Sequence, residues 1–368
     1  MPRTEKIERV VIIGAGAAGT AAAVDLTRRN YRVALYDHSP QKISPFSQIG
    51  GIEYEGSIGE GFVKIPTITT DISLAIKDAQ LILSVIPANG QGKLISVLLP
   101  FLKSDHILLL TTGSAGSLET GKILRQAGFR LDLMLLGECV VAPLSARMIN
   151  DTRVRIRLST TDSPKKLRIS AFPGHNTTLL TDTLSGMFHW IPKPNVLEVG
   201  FNNPNFLIHP APMLLNYAAV ERAEGKFSIM NEGMTQGVLR ALYAVDAEKM
   251  ALQHALGLEV ISIDDFYRET GVGPQVFREK GEPFGLHDRV WDRYISEDVP
   301  YGIVMFSSFG RMLGVPTPVC DSIVNILSAV NQIDYWAEGR TVERLGVGGL
   351  DRPQIMNYLE TGETAIRT

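Results

Sequence analysis

Cysteine is almost absent from this chain. Its 368 residues hold two, Cys139 and Cys320, far apart and in no metal-ligand spacing. That excludes a zinc module or a disulfide framework and points to two reduced thiols in a cytosolic protein. Excess charge of one sign is missing too. Thirty-six Lys and Arg stand against 39 Asp and Glu, for a formal net charge of −3. Nucleic-acid and membrane-surface proteins usually need clustered basic excess, so neither partner is expected, whereas small anionic ligands need only a few local Arg. Long apolar runs are lacking as well. Val10–Ile13 is too short for a signal-peptide core, and Glu5 and Glu8 interrupt the basic stretch before it. No segment approaches the ~20 apolar residues of a membrane helix. A cytoplasmic protein with no membrane partner is expected. Forty-five percent of residues are hydrophobic, enough for packed cores, and the length suggests two domains.

What is present begins with alternation. Arg9–Ile13, Arg32–Tyr36, Gln80–Ile86, His106–Leu110 and Leu131–Leu136 read as strands. Helical runs separate most of them: Ala17–Arg29, a stretch from Pro87 to about Leu102, and one ending at Gln126. The glycine-rich stretch Gly50–Ile65 reads as a hairpin insertion. Strands alternating with helices imply parallel βαβ units, hence a doubly wound α/β (Rossmann) domain over residues 1–200. Within it, Thr152–Thr160 alternates Val154, Ile156 and Leu158 with Arg153, Arg155 and Arg157, the period of a half-exposed strand. The three Arg could meet an anion or form a solvated sheet face. With Leu167–Phe172 this strand should extend the sheet in antiparallel fashion. From about Gly200 long helical runs take over: Pro210–Glu224, Thr235–Leu256, Ile263–Glu269, Tyr301–Met312 and Pro318–Ala337. An all-α domain over residues 201–368 is expected, with Arg340–Thr368 packing on it or contributing to a homodimer.

Gly14-Ala15-Gly16-Ala17-Ala18-Gly19 fits G-x-G-x-x-G directly after a strand and at the start of a helix, the context that gives this otherwise weak pattern meaning. Gly14 permits the tight turn, Gly16 lets the backbone approach a pyrophosphate, and Gly19 lets helix and strand pack. Ala17 and Ala18 open the helix whose N-terminus faces the phosphates. Asp37 ends the second strand eighteen residues after Gly19, where a carboxylate accepts hydrogen bonds from a ribose. A negative charge there repels a 2′-phosphate and favours NAD over NADP, while His38 and Ser39 keep NADP open. Pro87 and Ala88 follow the strand before them and sit where cofactor contacts are expected. A flavin would use the same fingerprint, but no second nucleotide-binding feature follows Asp37.

His209 stands before Pro210, a residue that suits the first turn of a helix and disfavours helical geometry at the position preceding it. It should sit at a helix entrance, where a histidine can shuttle protons near neutral pH. A capping histidine is the plain alternative. A second cluster runs from Trp291 and Asp292 through Arg293 and Asp298 to Gly302. Asp298 beside His209 would orient the imidazole and stabilise its cation. Arg293 could bind a carboxylate or the cofactor pyrophosphate. The alternative is a solvated, helix-capping loop.

These segments together resemble the octopine/opine dehydrogenase family. The matching text is HPAPMLLN from His209 to Asn216, Asn231-Glu232-Gly233-Met234-Thr235, Asp246-Ala247-Glu248, RYISEDVPYG from Arg293 to Gly302, and Gly314-Val315-Pro316-Thr317-Pro318. It covers the fingerprint and most of residues 200–325. The resemblance implies a nicotinamide enzyme that condenses an amino acid's α-amino group with an α-keto acid such as pyruvate or 2-oxoglutarate, then reduces the imine. It implies His209 as the catalytic histidine and Asp298 as its partner, with Asp321 a rival. It also implies Arg293 near the cofactor phosphates, and Glu138 and Asn216 beside the substrate. The residues around Glu138 only loosely match the family. A ketopantoate-type or other hydroxyacid dehydrogenase, acting without an amine, and a non-catalytic NAD-sensing protein are the competing readings.

Overall fold

The computed structural model describes residues 6–158, 166–270 and 293–363. Ser159 and Thr160 of the expected arginine strand, and Trp291 and Asp292 of the acidic cluster, lie outside these residues. The chain divides into two compact units, one running to Val199 and rejoined by the segment from Pro353, the other Gly200–Arg352.

The first unit holds strands β1 (Arg9–Ile13), β2 (Arg32–Tyr36), β3 (Gly51–Gly56), β4 (Gly61–Lys64), β5 (Thr67–Thr69), β6 (Leu81–Ser84), β7 (Ile107–Leu110), β8 (Leu135–Cys139), β9 (Ser145–Met148), β10 (Arg153–Leu158), β11 (Leu167–Ala171) and β12 (Trp190–Pro192). Its helices begin with α1 (Ala17–Arg28), α2 (Pro40–Ile49), α3 (Ile72–Ile76), α4 (Ala88–Leu98), α5 (Gly116–Gln126), α6 (Thr177–Thr183) and α7 (Val196–Gly200), the last reaching the unit boundary. Among the described residues, eight strands form one sheet in the order β12-β11-β8-β7-β6-β1-β2-β5. Every pairing in it is parallel except β8 with β11. The order reverses between β1 and β6, so a crevice opens at their carboxyl ends, the place where open α/β sheets bind ligands. The middle strands are apolar on both faces, as strands covered by helices on either side must be.

The arginine strand follows a different course from the expected antiparallel extension. β10 joins a separate four-stranded sheet, β4-β3-β10-β9, running parallel to β3. β11 alone enters the main sheet, antiparallel to β8. The cause is charge pairing across the strands. Arg155 Nε donates to Glu55 at 2.6 Å, and Arg153 lies 3.5 Å from Glu53 and 3.6 Å from Glu55. Arg153 and Arg155 thus pair with the glutamates of β3, and opposite charges directly across a ladder favour that register. This small sheet packs on α1. A helix covered on two sides must be slim, and Ala21, Ala22 and Ala23 are fully buried.

The second unit is helical: α8 (Asn205–Ile208), α9 (Pro210–Leu215), α10 (Tyr217–Ala223), α11 (Gln236–Leu256), α12 (Ile263–Thr270), α13 (Arg293–Ser296), α14 (Val304–Leu313), α15 (Pro318–Asn331), α16 (Tyr335–Glu338) and α17 (Val342–Leu345). One-turn π-helices at Ile229–Gly233 and Val299–Ile303 interrupt the pattern. The expected single helix from Pro210 breaks at Asn216 into α9 and α10. The long α11 organises this unit through its buried polar residues. Asp246 accepts from the Ile263 amide at 2.9 Å, at the start of α12, and pairs with buried Lys249 at 2.7 Å. Glu248 accepts from the Val319 and Cys320 amides at 2.7 and 2.9 Å, in the first turn of α15. Carboxylates at helix N-termini satisfy orphan donors and complement the helix dipole.

The final helix, α18 (Arg352–Thr361), departs from the expected helical domain over 201–368. It belongs with the sheet unit. Tyr358 packs on Phe172 with ring centroids 5.2 Å apart, and Arg125 of α5 bonds the Tyr358 hydroxyl and the Gly362 carbonyl. No helix among the described residues is long and apolar enough to cross a membrane.

Candidate active site

The fingerprint loop follows β1 as its residues require. Gly14 has φ +112°, a conformation open to glycine and rare for other residues. Its amide donates to the Tyr36 carbonyl at 2.8 Å, tying the turn to β2. A Cβ on Gly19 would lie 1.8 Å from the Gly14 carbonyl oxygen, so only glycine lets α1 start this close to the turn. A Cβ on Gly16 would meet nothing within 4 Å. The open space beside Gly16 adjoins the half-exposed Ala17 and Ala18, the first turn of α1, which carries no acidic residue. Backbone N–H groups and the helix dipole make this an anion site, and the loop fits a dinucleotide pyrophosphate.

Asp37 is buried at the end of β2, and its carboxylate accepts from the Ala15 amide at 2.9 Å and the Ser39 amide at 3.0 Å. It therefore also braces the glycine loop, a role not legible in the sequence. His38 and Lys42 lie 3.3 and 3.5 Å from it. Pro87 caps α4, and Ala88 is buried in its first turn. Both follow β6, across the strand reversal from Gly14. The Thr112 hydroxyl donates to the Ile86 carbonyl at 3.0 Å and holds this edge.

In the helical unit the structure brings His209 and Asp298 together. His209 Nδ1 and Asp298 Oδ2 are 2.7 Å apart, with 6% and 3% of the two residues exposed. That length belongs to a charge-assisted bond. His209 departs from the expected extended geometry before proline: at φ −111°, ψ −62° it continues α8 into α9, and its carbonyl accepts from the Met213 amide at 2.9 Å. Asp298 immediately precedes the π-helical turn Val299–Ile303. Irregular helical turns of this kind often occur at functional sites. Tyr294, which the sequence did not single out, lies flat on the imidazole, with ring centroids 3.4 Å apart and planes 8° from parallel.

Other candidates stand elsewhere. Asp321 sits in the first turn of α15, 3.8 Å from Arg311 and within reach of the Thr317 hydroxyl, and is not the residue bonded to His209. Arg293 Nε donates at 2.7 Å to buried Glu297, while its own side chain is 56% exposed. Glu138 is fully buried and caps α5, accepting from the Ala115 amide, the Ser117 amide and the Ser117 hydroxyl at 2.7–2.9 Å. Ala115 enters that helix with φ 58°. The Asn216 amide group donates to the Pro212 and Gly233 carbonyls at 2.9 and 3.1 Å, joining α9 to the first π-helical turn. Cys139 and Cys320 are buried free thiols.

The strand order and the glycine loop define a dinucleotide-binding Rossmann-type unit, followed in the chain by a helical unit that holds a buried His–Asp pair. Comparison with known proteins specifies it further. The family model described as "NAD/NADP octopine/nopaline dehydrogenase, alpha-helical domain" matches residues 192–331. A model of glucose inhibited division protein A matches residues 9–65, the fingerprint region. An opine dehydrogenase of Arthrobacter sp. (strain 1C) is 30% identical, over 95% of this chain and 98% of that protein. A solved octopine dehydrogenase with NADH and pyruvate superposes with a TM-score of 0.71 at 15% identity, covering 96% of this chain and 98% of the other. A yersinopine dehydrogenase with NADP+ bound gives 0.67 at 17% identity, covering 96% and 98%. The chain belongs to the opine dehydrogenase family. It is an NAD(P)-dependent oxidoreductase acting on the CH–NH group of donors, and it joins an amino acid to a keto acid by reductive condensation.

Proposed function

We propose that the chain couples the α-amino group of an amino acid to pyruvate or 2-oxoglutarate in the cytoplasm, using NADH in preference to NADPH, with His209 and Asp298 as the proton-transfer pair. The observation that carries this reading is the buried 2.7 Å bond between His209 Nδ1 and Asp298. With Nδ1 held by the carboxylate, Nε2 is the ring nitrogen assigned to proton exchange with substrate.

Gly14, Gly16, Ala17, Ala18 and Gly19 receive the pyrophosphate. Asp37 holds the loop from behind, and its charge disfavours a 2′-phosphate. Pro87 and Ala88 shape the neighbouring edge. When bound, the nicotinamide supplies the hydride that reduces the carbon of the C=N bond. In that direction His209 Nε2 gives a proton to the carbinolamine oxygen, so that water leaves as the C=N bond forms. Asp298 stabilises the imidazolium before the transfer and keeps the ring oriented after it. Arg293, exposed beside Glu297, is assigned to an anionic group of substrate or cofactor. No substrate role is assigned to Glu138 or Asn216.

The test is NADH oxidation with pyruvate or 2-oxoglutarate, with and without a panel of L-amino acids, and product masses measured. Oxidation that requires both partners and yields the mass of the reduced condensation product supports the reading. Oxidation by the keto acid alone reassigns the chain to a hydroxyacid dehydrogenase, and cofactor binding without turnover to a sensor.

A further inference from the structure

Tyr294 covers one face of His209. It is half-buried on α13, four residues before Asp298. The centroids lie 3.4 Å apart and the planes are 8° from parallel. Stacked rings cannot approach much closer than this, so the two rings overlap with little lateral offset. Two neutral aromatic rings avoid that arrangement, because their negative faces repel, and settle offset or edge-to-face. A cation over an aromatic face is attracted by the same quadrupole. The face-to-face stack therefore suits an imidazolium over a phenol better than two neutral rings. The Asp298 carboxylate, 2.7 Å from Nδ1, stabilises the same charged form.

We infer that Tyr294 is a positioning residue for the reaction: its ring fixes the plane of the His209 imidazole and favours the protonated form that donates from Nε2. Asp298 fixes the ring's edge and Tyr294 its face. Together they remove the rotation about χ2 that would carry Nε2 off line, and proton transfer depends on such alignment. This rests on the proton-transfer role given to His209.

Among the described residues, Asp298 and the Tyr294 ring are the groups recorded against the imidazole. On α13 and the residues after it, Asp298 and the Tyr294 ring face His209, while Arg293 pairs with Glu297. On the other elements packed against α9, Arg240 and His254 of α11 are exposed, and several other charged groups have partners of their own. Asp246 pairs with Lys249, Glu248 takes the first amides of α15, Asp321 is beside Arg311, and Glu232 accepts from the Ser228 amide. Glu221 and Arg222 of α10 are exposed.

The test uses the full chain with Tyr294→Leu and Tyr294→Phe, and His209 assigned in NMR titrations by comparison with His209→Ala. Replacing the aromatic face by leucine lowers the His209 titration midpoint by about 0.4–1.5 pH units, the cation–π range converted at 1.36 kcal/mol per unit. Phenylalanine keeps the face and restores the midpoint. In turnover, the activity lost as pH rises moves to lower pH in Tyr294→Leu, and kcat falls while the KM for NADH holds. Tyr294→Met serves in place of leucine if that variant does not fold. An unchanged midpoint in the leucine and methionine variants, or a phenylalanine variant that behaves like leucine, overturns the inference. The titration needs no substrate, so it stands apart from the function above: a wild type that fails the condensation assay removes the reaction, while an unmoved midpoint removes Tyr294.

Discussion

Replacing Asp298 by asparagine isolates the charge in the dyad. The amide keeps the shape of the carboxylate, so α13 and the π-helical turn after it should retain their packing. What is lost is the negative partner of His209 Nδ1, 2.7 Å away, at a residue only 3% exposed. Solvent offers little compensation at that depth. A hydrogen bond to a charged group contributes ~1.5–3 kcal/mol, and ~1.4 kcal/mol is a factor of ten in rate, so kcat should fall about 10- to 150-fold. The loss should fall on kcat, because the imidazolium that Asp298 stabilises is the form that gives up the proton. Affinity for NADH should hold, since the glycine loop and Asp37 belong to the other compact unit. The assay is steady-state NADH oxidation with both substrates, run beside a direct NADH titration of the same protein. Asp321→Asn is the control: Asp321 lies by Arg311 and Thr317, so this variant should turn over as the wild type does. An Asp298→Asn enzyme with unchanged kcat, or one whose defect lies wholly in NADH affinity, would refute the assignment of the dyad.

Three further outcomes are expected. Glu138→Ala should lower the urea midpoint sharply, because each buried donor left unmet at Ala115 and Ser117 costs ~1–3 kcal/mol, while the KM for the amino acid holds; a raised KM without lost stability would return Glu138 to the substrate site. Gly19→Ala should abolish tight NADH binding, since the new Cβ meets the Gly14 carbonyl oxygen at 1.8 Å, and wild-type affinity in a titration would contradict the loop geometry. Burial, reinforced by the charge of Glu248, holds the Cys320 thiol well above its usual range. It stays protonated at neutral pH, and with Cys139 also buried neither should react with a disulfide reagent until the protein unfolds. Prompt labelling of the native protein would show that the burial is wrong.

The nucleotide half was legible because its signals are local. A β-branched run, three glycines and an alanine-rich helix lie within twenty residues of Arg9, and each restricts the backbone where it stands. His209 and Asp298 were legible as candidates through the run of motifs resembling the family, and Pro210 marked a helix start. The partner choice was not. Asp298 and Asp321 are both acids at helix beginnings, and only the packing of α13 against α9 brings the first to Nδ1 and leaves the second with Arg311. Tyr294 escaped notice because an aromatic beside an arginine carries no signal of what it will lie on. The capping bonds of Glu138 were hidden for the same reason: a carboxylate after a strand looks alike whether it faces substrate or caps a helix across the layer. The arginine strand shows the general case. Alternation fixed its two faces, but its neighbour was decided by the glutamates of β3, about a hundred residues earlier. Sequence determined the backbone conformations and the inventory of chemical groups. Tertiary structure alone decided which groups meet, because hydrogen bonds and ion pairs act over a few ångströms and only folding brings distant residues that close.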